Sequence, residues 1–274
     1  MCGIYGVISN SAMTDDKNHV ALSRLQHRGP DGTGTSSYNQ DEKYFFWGHK
    51  RLALVDLSER SAQPMQTELF TLVFNGEIYN YVALRDELTS LGYTFKTTGD
   101  TEVLLASWQH WGKNCLRRLN GMFAFVIHEK TTQKVYFARD RAGSKPLYYK
   151  QDDGSFSFAS EIRALSTNRI PHDQINLGAI QEFLSQGYCY GHETIIRGIF
   201  RLPQASLMTL DLDNNSHKIE RYWKPGEESE QSYQSRTQIQ NNFETIFYDS
   251  VKLRLNADRT IGVFLSGGYD SALT

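Results

Sequence analysis

The sequence is poor in cysteine, has no long apolar run and carries no surplus of either charge, and each absence narrows what the chain can be. Three cysteines, Cys2, Cys115 and Cys189, are odd in number and far apart, without C-x-x-C spacing. They argue against a disulfide framework and a zinc site, so no metal centre is expected and a reducing compartment fits. The N-terminus turns polar at Ser9 after a brief apolar run and lacks the basic start and long apolar core of a signal peptide. No stretch reaches the roughly 18 apolar residues of a membrane helix. The expectation is a cytoplasmic protein with no membrane partner. Lys and Arg number 29 against 31 Asp and Glu, a balance of −2 that offers no basic surface to nucleic acid. At 274 residues, 39% of them hydrophobic, the chain can form one large domain, or one domain and part of another.

Residues 3–8 read as a buried strand that starts immediately after Cys2. A helix through Leu22 and Leu25 ends in the turn-dense loop 27–32, HRGPDG. Residues 44–47 and 52–55 suggest two strands with a polar corner, 48–51, between them. Residues 69–74 form a strand pattern that stops at Asn75, Gly76 and Glu77. A helix follows over about 79–91, with Leu84 and Leu88 on its apolar face. A further strand is expected at 93–96, then a helix from Gly99 through Trp111, with Asp100 as its N-cap. Strand patterns recur at 122–127 and 134–138, and residues 156–165 pass from strand to short helix. This many strands joined by short turns predicts antiparallel sheet in an α+β layer architecture.

After Asn176 come a helix through Leu177, Ile180 and Leu184 and strands near 207–210 and 219–223. Residues 224–234 are rich in Pro, Gly, Ser and Glu with almost nothing apolar, which marks a linker between one domain at 1–223 and a second unit at 235–274. In that second unit Ile239, Phe243, Ile246, Phe247 and Val251 recur at helical spacing, with Lys252 and Arg254 in the last turn. An apolar strand is expected at 261–265, followed by Ser266, Gly267, Gly268, Tyr269, Asp270 and Ser271. A strand, a Gly-rich loop and a helix start make half of a nucleotide-binding βα unit, although a Gly-rich turn after a core strand is the plainer alternative.

Three places carry chemistry. If Met1 is removed, Cys2 unites a thiol and a free α-amine in one residue; these titrate near ~8.5 and ~7.7–8.0, so both can act close to neutral pH. Taken alone, Cys2 is also just a small residue at position 2. Asn75-Gly76 is first a turn signal. The same pair sets a side-chain amide beside an open backbone N–H, as an oxyanion hole requires. The loop 266–271 lacks the lysine of a Walker A motif. His49, next to Arg51, fits a packed or solvated histidine better than a base, and Cys115 and Cys189 read as buried, inert thiols.

Taken together, Cys2-Gly3-Ile4, HRGPDG at 27–32, Arg51-Leu52, FNGEIYN at 74–80, GDTEV at 99–103, NGMFAF at 120–125, FASEIRAL at 158–165 and GVFLSGGYDS at 262–271 resemble the glutamine-hydrolysing asparagine synthetases, in that family's order and along the whole chain. The resemblance implies a four-layer αββα N-terminal-nucleophile hydrolase sandwich of two antiparallel sheets at 1–223. It also implies the first helix, strand and phosphate loop of an α/β ATP-pyrophosphatase domain at 235–274. It assigns Cys2 as the nucleophile on glutamine, Asn75 and Gly76 as oxyanion donors, Arg51 and Leu52 to substrate binding with Arg51 on the α-carboxylate, and Glu77 and Asp100 to the α-ammonium group. Ser266, Gly267, Gly268, Asp270 and Ser271 fall to ATP, with Mg²⁺ in the full-length enzyme, whereas the glutaminase step needs no cofactor. Aspartate is the implied acceptor of the ammonia, and a homodimer the implied assembly. Ala142 and Ser144 depart from the family pattern in the segment 139–149. Tyr269 departs in the phosphate loop and leaves a uronic acid or another carboxylate open as acceptor. A non-catalytic interaction domain is the reading if Met1 stays attached.

Overall fold

A computed structural model describes residues 1–10, 15–166, 170–227 and 235–273. In chain order the elements are β1 (Gly3–Ser9), α1 (Asp15–Ser23), β2 (Gly32–Gln40), β3 (Lys43–Arg51), β4 (Met65–Gln66), β5 (Phe70–Ile78), α2 (Tyr81–Ser90), α3 (Asp100–Trp111), α4 (Cys115–Arg118), β6 (Gly121–Glu129) and β7 (Lys134–Arg139). There follow β8 (Tyr148–Asp152), β9 (Ser155–Ala159), α5 (Ile162–Leu165), α6 (Leu177–Gln186), β10 (Ile199–Arg201), β11 (Ser206–Asp211), β12 (Ser216–Arg221), α7 (Arg236–Leu253) and α8 (Tyr269–Leu273). Two six-stranded sheets result, ordered β10-β8-β9-β1-β3-β2 and β12-β11-β7-β6-β5-β4, and their strand pairs are antiparallel.

The inner faces of the two sheets meet in one apolar layer: Ile4, Ile8, Phe45 and Trp47 from the first pack with Val73, Val126 and Phe137 from the second. On the outer face of the second sheet, Leu72, Phe74 and Phe125 pack with Leu84 and Leu88 of α2 and Val103, Leu104 and Trp108 of α3. On the outer face of the first, Tyr5, Val7 and Phe46 pack with Ala21 and Leu22 of α1 and Ala164 of α5. This is the four-layer αββα order that the resemblance implies. Both central strands, β1 and β6, are buried along nearly their full length, so they read as continuous apolar runs rather than alternations.

Several local expectations are corrected. There is no corner at 48–51: β3 runs unbroken through it, because Gly48, His49 and Lys50 pair on one side with Tyr5, Ile4 and Gly3 and on the other with Thr35, Gly34 and Thr33. Residues 52–55 form no strand. Asn75-Gly76 is not a turn either; β5 continues to Ile78, with Asn75 opposite Ala124 and Gly76 opposite Phe123. A Cβ at Gly76 would lie 2.2 Å from the Met122 carbonyl oxygen, so the glycine serves strand proximity and not reversal. At 93–96 no ladder forms, and the Lys96 and Thr97 N–H groups donate instead to the Glu102 carboxylate at 2.8–3.0 Å.

Asp100 is the first residue of α3 and Gly99 occupies the N-cap. In the second unit, α7 opens on a capping box: Ser235 accepts from the Gln238 N–H and Gln238 accepts from the Ser235 N–H. No strand neighbours 261–265 among the described residues, and without a ladder that apolar run stays irregular, with Phe264 almost wholly exposed. Among the described residues no helix is long and apolar enough to cross a membrane. Most of the expected linker lies outside the described residues.

Candidate active site

β1 begins one residue after Cys2, and its first ladder pair, Gly3 with Lys50, brings Cys2 beside the end of β3. There the Leu52 N–H donates to the Cys2 Sγ at 3.3 Å, and the thiol faces the Leu52 carbonyl at 3.6 Å. The Cys2 carbonyl accepts from Arg28 Nε at 2.9 Å, and Arg28 is held in turn by Glu161 at 3.0 Å. The HRGPDG loop therefore anchors the start of β1, while the Asp31 carboxylate accepts from the Ala53 N–H at 2.9 Å and fixes the chain beyond Leu52. Burial pushes the Cys2 thiol up, with the Asp100 charge acting in the same direction, opposed by the Leu52 N–H, by the positive charge of the Met1 α-amine and, least, by that of Lys145. The Met1 α-amine is pushed down, chiefly by burial.

A cavity of about 120 Å³ opens beside the thiol, lined by Cys2, Arg51, Leu52, Asn75, Gly76, Glu77 and Asp100 among others. It is far smaller than the ~300–1,000 Å³ typical of pockets for drug-sized ligands, which suits a compact, amino-acid-sized molecule. The residues assigned to the glutamine site thus converge on one space from four segments: the N-terminus, the end of β3, the end of β5 and the start of α3.

Each brings distinct chemistry. The Asn75 side chain is fully buried, and neither its Nδ2 nor its Oδ1 has a hydrogen-bond partner among the described residues. Such an amide costs ~1–3 kcal/mol to leave unpaired, so a group aimed into the cavity calls for a partner from a ligand. Arg51 donates to the Ser58 carbonyl at 2.7 Å and to the Asp56 carbonyl, which fixes the plane of its guanidinium at the cavity wall. Asp100 is buried, accepts from the Ile78 N–H at 2.9 Å, and is pushed up to about 6 by burial first, with the neighbouring Glu77 charge acting in the same direction. Two carboxylates beside one cavity make a receptor for a cation.

Sequence reasoning missed Lys145, which is buried and lines the same cavity. Its backbone is pinned by the Asp140 carboxylate at 3.0 Å and by Arg139 Nε at 2.7 Å. In a charged, turn-rich stretch nothing separates it from a solvated lysine. His49 also lines the cavity; burial pushes it down to about 3, so it is neutral at physiological pH. Cys115 is buried as expected, whereas Cys189 is only half-buried and faces the Ala179 carbonyl at 3.5 Å.

The loop 266–271 lies outside this cavity. Its Ser266 and Ser271 hydroxyls are 3.0 Å apart, and Ser271 Oγ donates to the Gly268 carbonyl at 3.1 Å. Gly267 turns at φ +79° with nothing within 4 Å of a Cβ built there. The Ser266 N–H donates to Ser271 Oγ at 3.3 Å and the Gly268 N–H to Ser266 Oγ at 3.4 Å, so the loop gathers backbone and hydroxyl donors of the kind that suit phosphate oxygens. They do not by themselves fit Mg²⁺: among the described residues no group of three or more His, Cys, Asp or Glu could hold a metal ion.

Residues 1–223 match the family described as "Glutamine amidotransferase domain". The chain belongs to that family. This glutamine amidotransferase domain is followed by a match of residues 242–274 to the family described as "Asparagine synthase". Over 99% of the chain, 36% of residues are identical to "Asparagine synthetase [glutamine-hydrolyzing] 1" of Bacillus subtilis, of which the alignment covers 43%; for "Putative asparagine synthetase [glutamine-hydrolyzing] 2" of Methanocaldococcus jannaschii the figures are 33% identity and 56% of the relative. The chain thus spans about half the length of these curated relatives. Among solved structures, a glutamine phosphoribosylpyrophosphate amidotransferase of B. subtilis superposes on 81% of the chain and 49% of its own, with a TM-score of 0.58 and 22% identity, which is a likeness of fold.

Proposed function

We propose that this amidotransferase domain hydrolyses glutamine to glutamate and ammonia, with Cys2 as nucleophile once Met1 is removed. The observation that carries the reading is the convergence on one small cavity of the Cys2 thiol, the unpartnered Asn75 amide, a cation at Arg51 and carboxylates at Glu77 and Asp100. That set is complementary to glutamine: a carboxylate, an ammonium group and an amide carbonyl that becomes an oxyanion. Arg51 and Leu52 hold the substrate beside the thiol. Glu77 and Asp100 receive its ammonium.

The Cys2 amine takes the thiol proton as sulfur attacks the side-chain amide carbon. Negative charge develops on the carbonyl oxygen and is met by the Asn75 Nδ2 and the Gly76 N–H; one such donor is typically worth ~2.7–4 kcal/mol of barrier. Collapse breaks the C–N bond, and the Cys2 ammonium gives its proton to the leaving nitrogen, which departs as ammonia. Water, deprotonated by the same amine, then hydrolyses the thioester and frees the thiol.

The second unit, 235–274 beyond a linker at 224–234, is read as the start of a synthetase domain, supported by the second family match and by the relatives' names. Ser266, Gly267, Gly268 and Ser271 would hold the phosphates of ATP, with Asp270 beside them. Bound ATP supplies activation of an acceptor carboxylate as its adenylate. The relatives' names favour asparagine as the product of the whole protein and hence aspartate as acceptor; the scattered, odd-numbered cysteines fit a cytoplasmic location.

Intact mass together with a glutaminase assay tests the first step. Chains beginning at Cys2 should release glutamate, and the same chains carrying Cys2→Ala should not. Equal glutamate release by both would overturn the reading.

A further inference from the structure

After α7 the chain turns back onto the glutamine-amidotransferase part at the loop 53–58 that leaves β3 just past Arg51. The Asp258 carboxylate accepts from the Asp56 N–H at 2.7 Å, the Asp258 N–H donates to the Leu54 carbonyl at 2.9 Å, and Arg259 Nε donates to the Ala53 carbonyl at 3.3 Å. Nearby, the Arg254 guanidinium lies over the ring of Tyr79, 4.6 Å from its centroid, just past the end of β5. Residues 254–259 belong to the segment matched to the asparagine synthase family. They form a strap across the wall of the glutamine cavity.

What the strap grips is the support of Arg51. The Asp56 carbonyl accepts from one guanidinium nitrogen of Arg51, and the Ser58 carbonyl from the other. Asp56 takes φ +49°, a left-handed conformation that is costly for a residue with a side chain and persists where its surroundings over-determine it. Its carboxylate supplies part of that determination, accepting from the Ser58 N–H at 3.0 Å, the Ser58 hydroxyl at 2.6 Å and the Thr98 N–H at 2.8 Å. Its own N–H faces the other way and is satisfied by Asp258. Leu54, whose carbonyl the strap holds, and Val55 beside it line the cavity itself.

We propose that Asp258 is a positioning residue of the glutamine site: by holding the Asp56 N–H it fixes the loop that orients Arg51 toward the substrate's α-carboxylate. The start of the second unit thereby completes the site in the first and sets its affinity for glutamine. This rests on the reading of Arg51 as carboxylate clamp. Asp258 touches no reacting atom, so its loss weakens binding of the carboxylate and leaves the chemical step alone.

The test uses the 274-residue chain with Met1 removed, comparing Asp258→Ala, Asp258→Asn and Arg259→Ala with the wild type on L-glutamine and on L-glutaminamide, which lacks the α-carboxylate. An exposed carboxylate accepting one hydrogen bond predicts a KM for glutamine raised about three- to tenfold in Asp258→Ala. The kcat should stay within about twofold, and the preference for glutamine over glutaminamide should fall by the same factor as KM rises. Asp258→Asn, which keeps an acceptor oxygen, should recover most of the affinity. A KM within twofold of wild type in both Asp258 variants overturns the inference, as does a parallel loss of kcat and thermal stability with the preference for glutamine intact. Should Asp258→Ala fail to fold, Asp258→Leu, which is of similar size and offers no acceptor, carries the same comparison with the same expected rise in KM. A wild type that begins at Cys2 and releases no glutamate removes the glutaminase reading, and this inference with it; an active wild type beside unaffected variants removes the inference alone.

Discussion

Leu52 donates its backbone N–H to the Sγ of Cys2 at 3.3 Å, and it is the immediate neighbour of Arg51. With Cys2 as the proposed nucleophile and Arg51 as the proposed carboxylate clamp, the two would be held in one frame, and two adjacent peptide units would set the distance from the attacking sulfur to the anchored end of the substrate. Positioning of this kind is what makes a bound near-attack geometry effective.

A retained Met1 should abolish turnover without abolishing binding. With Met1 in place the Cys2 nitrogen is an amide and cannot accept the thiol proton, while Arg51, Asn75, Glu77 and Asp100 still line the cavity, with Met1 added to its wall. Chains with and without Met1 should protect Cys2 from iodoacetamide to a similar degree in the presence of glutamate, and only the trimmed chain should release glutamate from glutamine. Turnover by the untrimmed chain would show that another group serves as base.

Asn75→Ala removes the proposed oxyanion donor, an amide with no hydrogen-bond partner among the described residues. The kcat should fall by about 10²–10³ with KM changed little, because the interaction strengthens as charge develops. Stability should hold or rise slightly, since an unpaired buried amide is lost. A kcat within tenfold of wild type would remove Asn75 from the oxyanion hole.

Asp100 makes substrate affinity depend on pH. Its carboxyl, pushed up to about 6, must be ionised to receive an ammonium group, so KM for glutamine should rise as pH falls through about 6. The linkage has the opposite consequence for stability. A carboxyl raised in the folded state binds its proton more tightly there than when unfolded, so the stability it provides is complete below the unfolded value of 3.8 and is lost as pH rises through about 6. Asp100→Asn should therefore melt higher than wild type at pH 7.5, by at most about 3 kcal/mol of stability at 1.36 kcal/mol per pH unit, while losing glutamine binding. An unchanged or lower melting temperature at pH 7.5, together with a pH-independent KM in the wild type, would contradict both halves.

Lys145→Met tests the buried cation. Burial raises the Cys2 thiol and Lys145 opposes it, so the variant should need a higher pH to form thiolate. The midpoint of the pH profile for Cys2 alkylation should move upward, and alkylation at pH 7 should slow several-fold. An unmoved midpoint would show that Lys145 does not act on the thiol.

How far the sequence foretold these features depends on where each residue obtains its partners. Continuous apolar runs such as those in β1, β6 and β7 are legible because both sheet faces are buried there. β2, with the sequence GTGTSSYNQ, is an edge strand whose side chains alternate between half-buried and exposed, so it carries no apolar signal. Asn75-Gly76 carries a strong turn signal that the sheet overrides, since its neighbours on β6 satisfy the backbone before any reversal can. In the site, Cys2, Arg51, Asn75, Gly76, Glu77 and Asp100 were found by motif resemblance, and their chemistry then made sense of the grouping. Lys145 and Asp258 have no local signature. Only the folded chain brings Lys145 to the cavity and Asp258 to the Asp56 N–H.

The passage of β5 straight through Asn75 and Gly76 ties the site to the ladder that carries it. Strand faces alternate with every residue, so a slip of one position between β5 and β6 would turn the Asn75 amide from the cavity to the opposite side and drive Gly76's neighbour against β6. A chain paired one residue out of step could keep its sheets, its compactness and most of its spectroscopic signature and still be inert. For this protein, recovery of glutamate release after refolding would report sheet registration more faithfully than any measure of secondary-structure content.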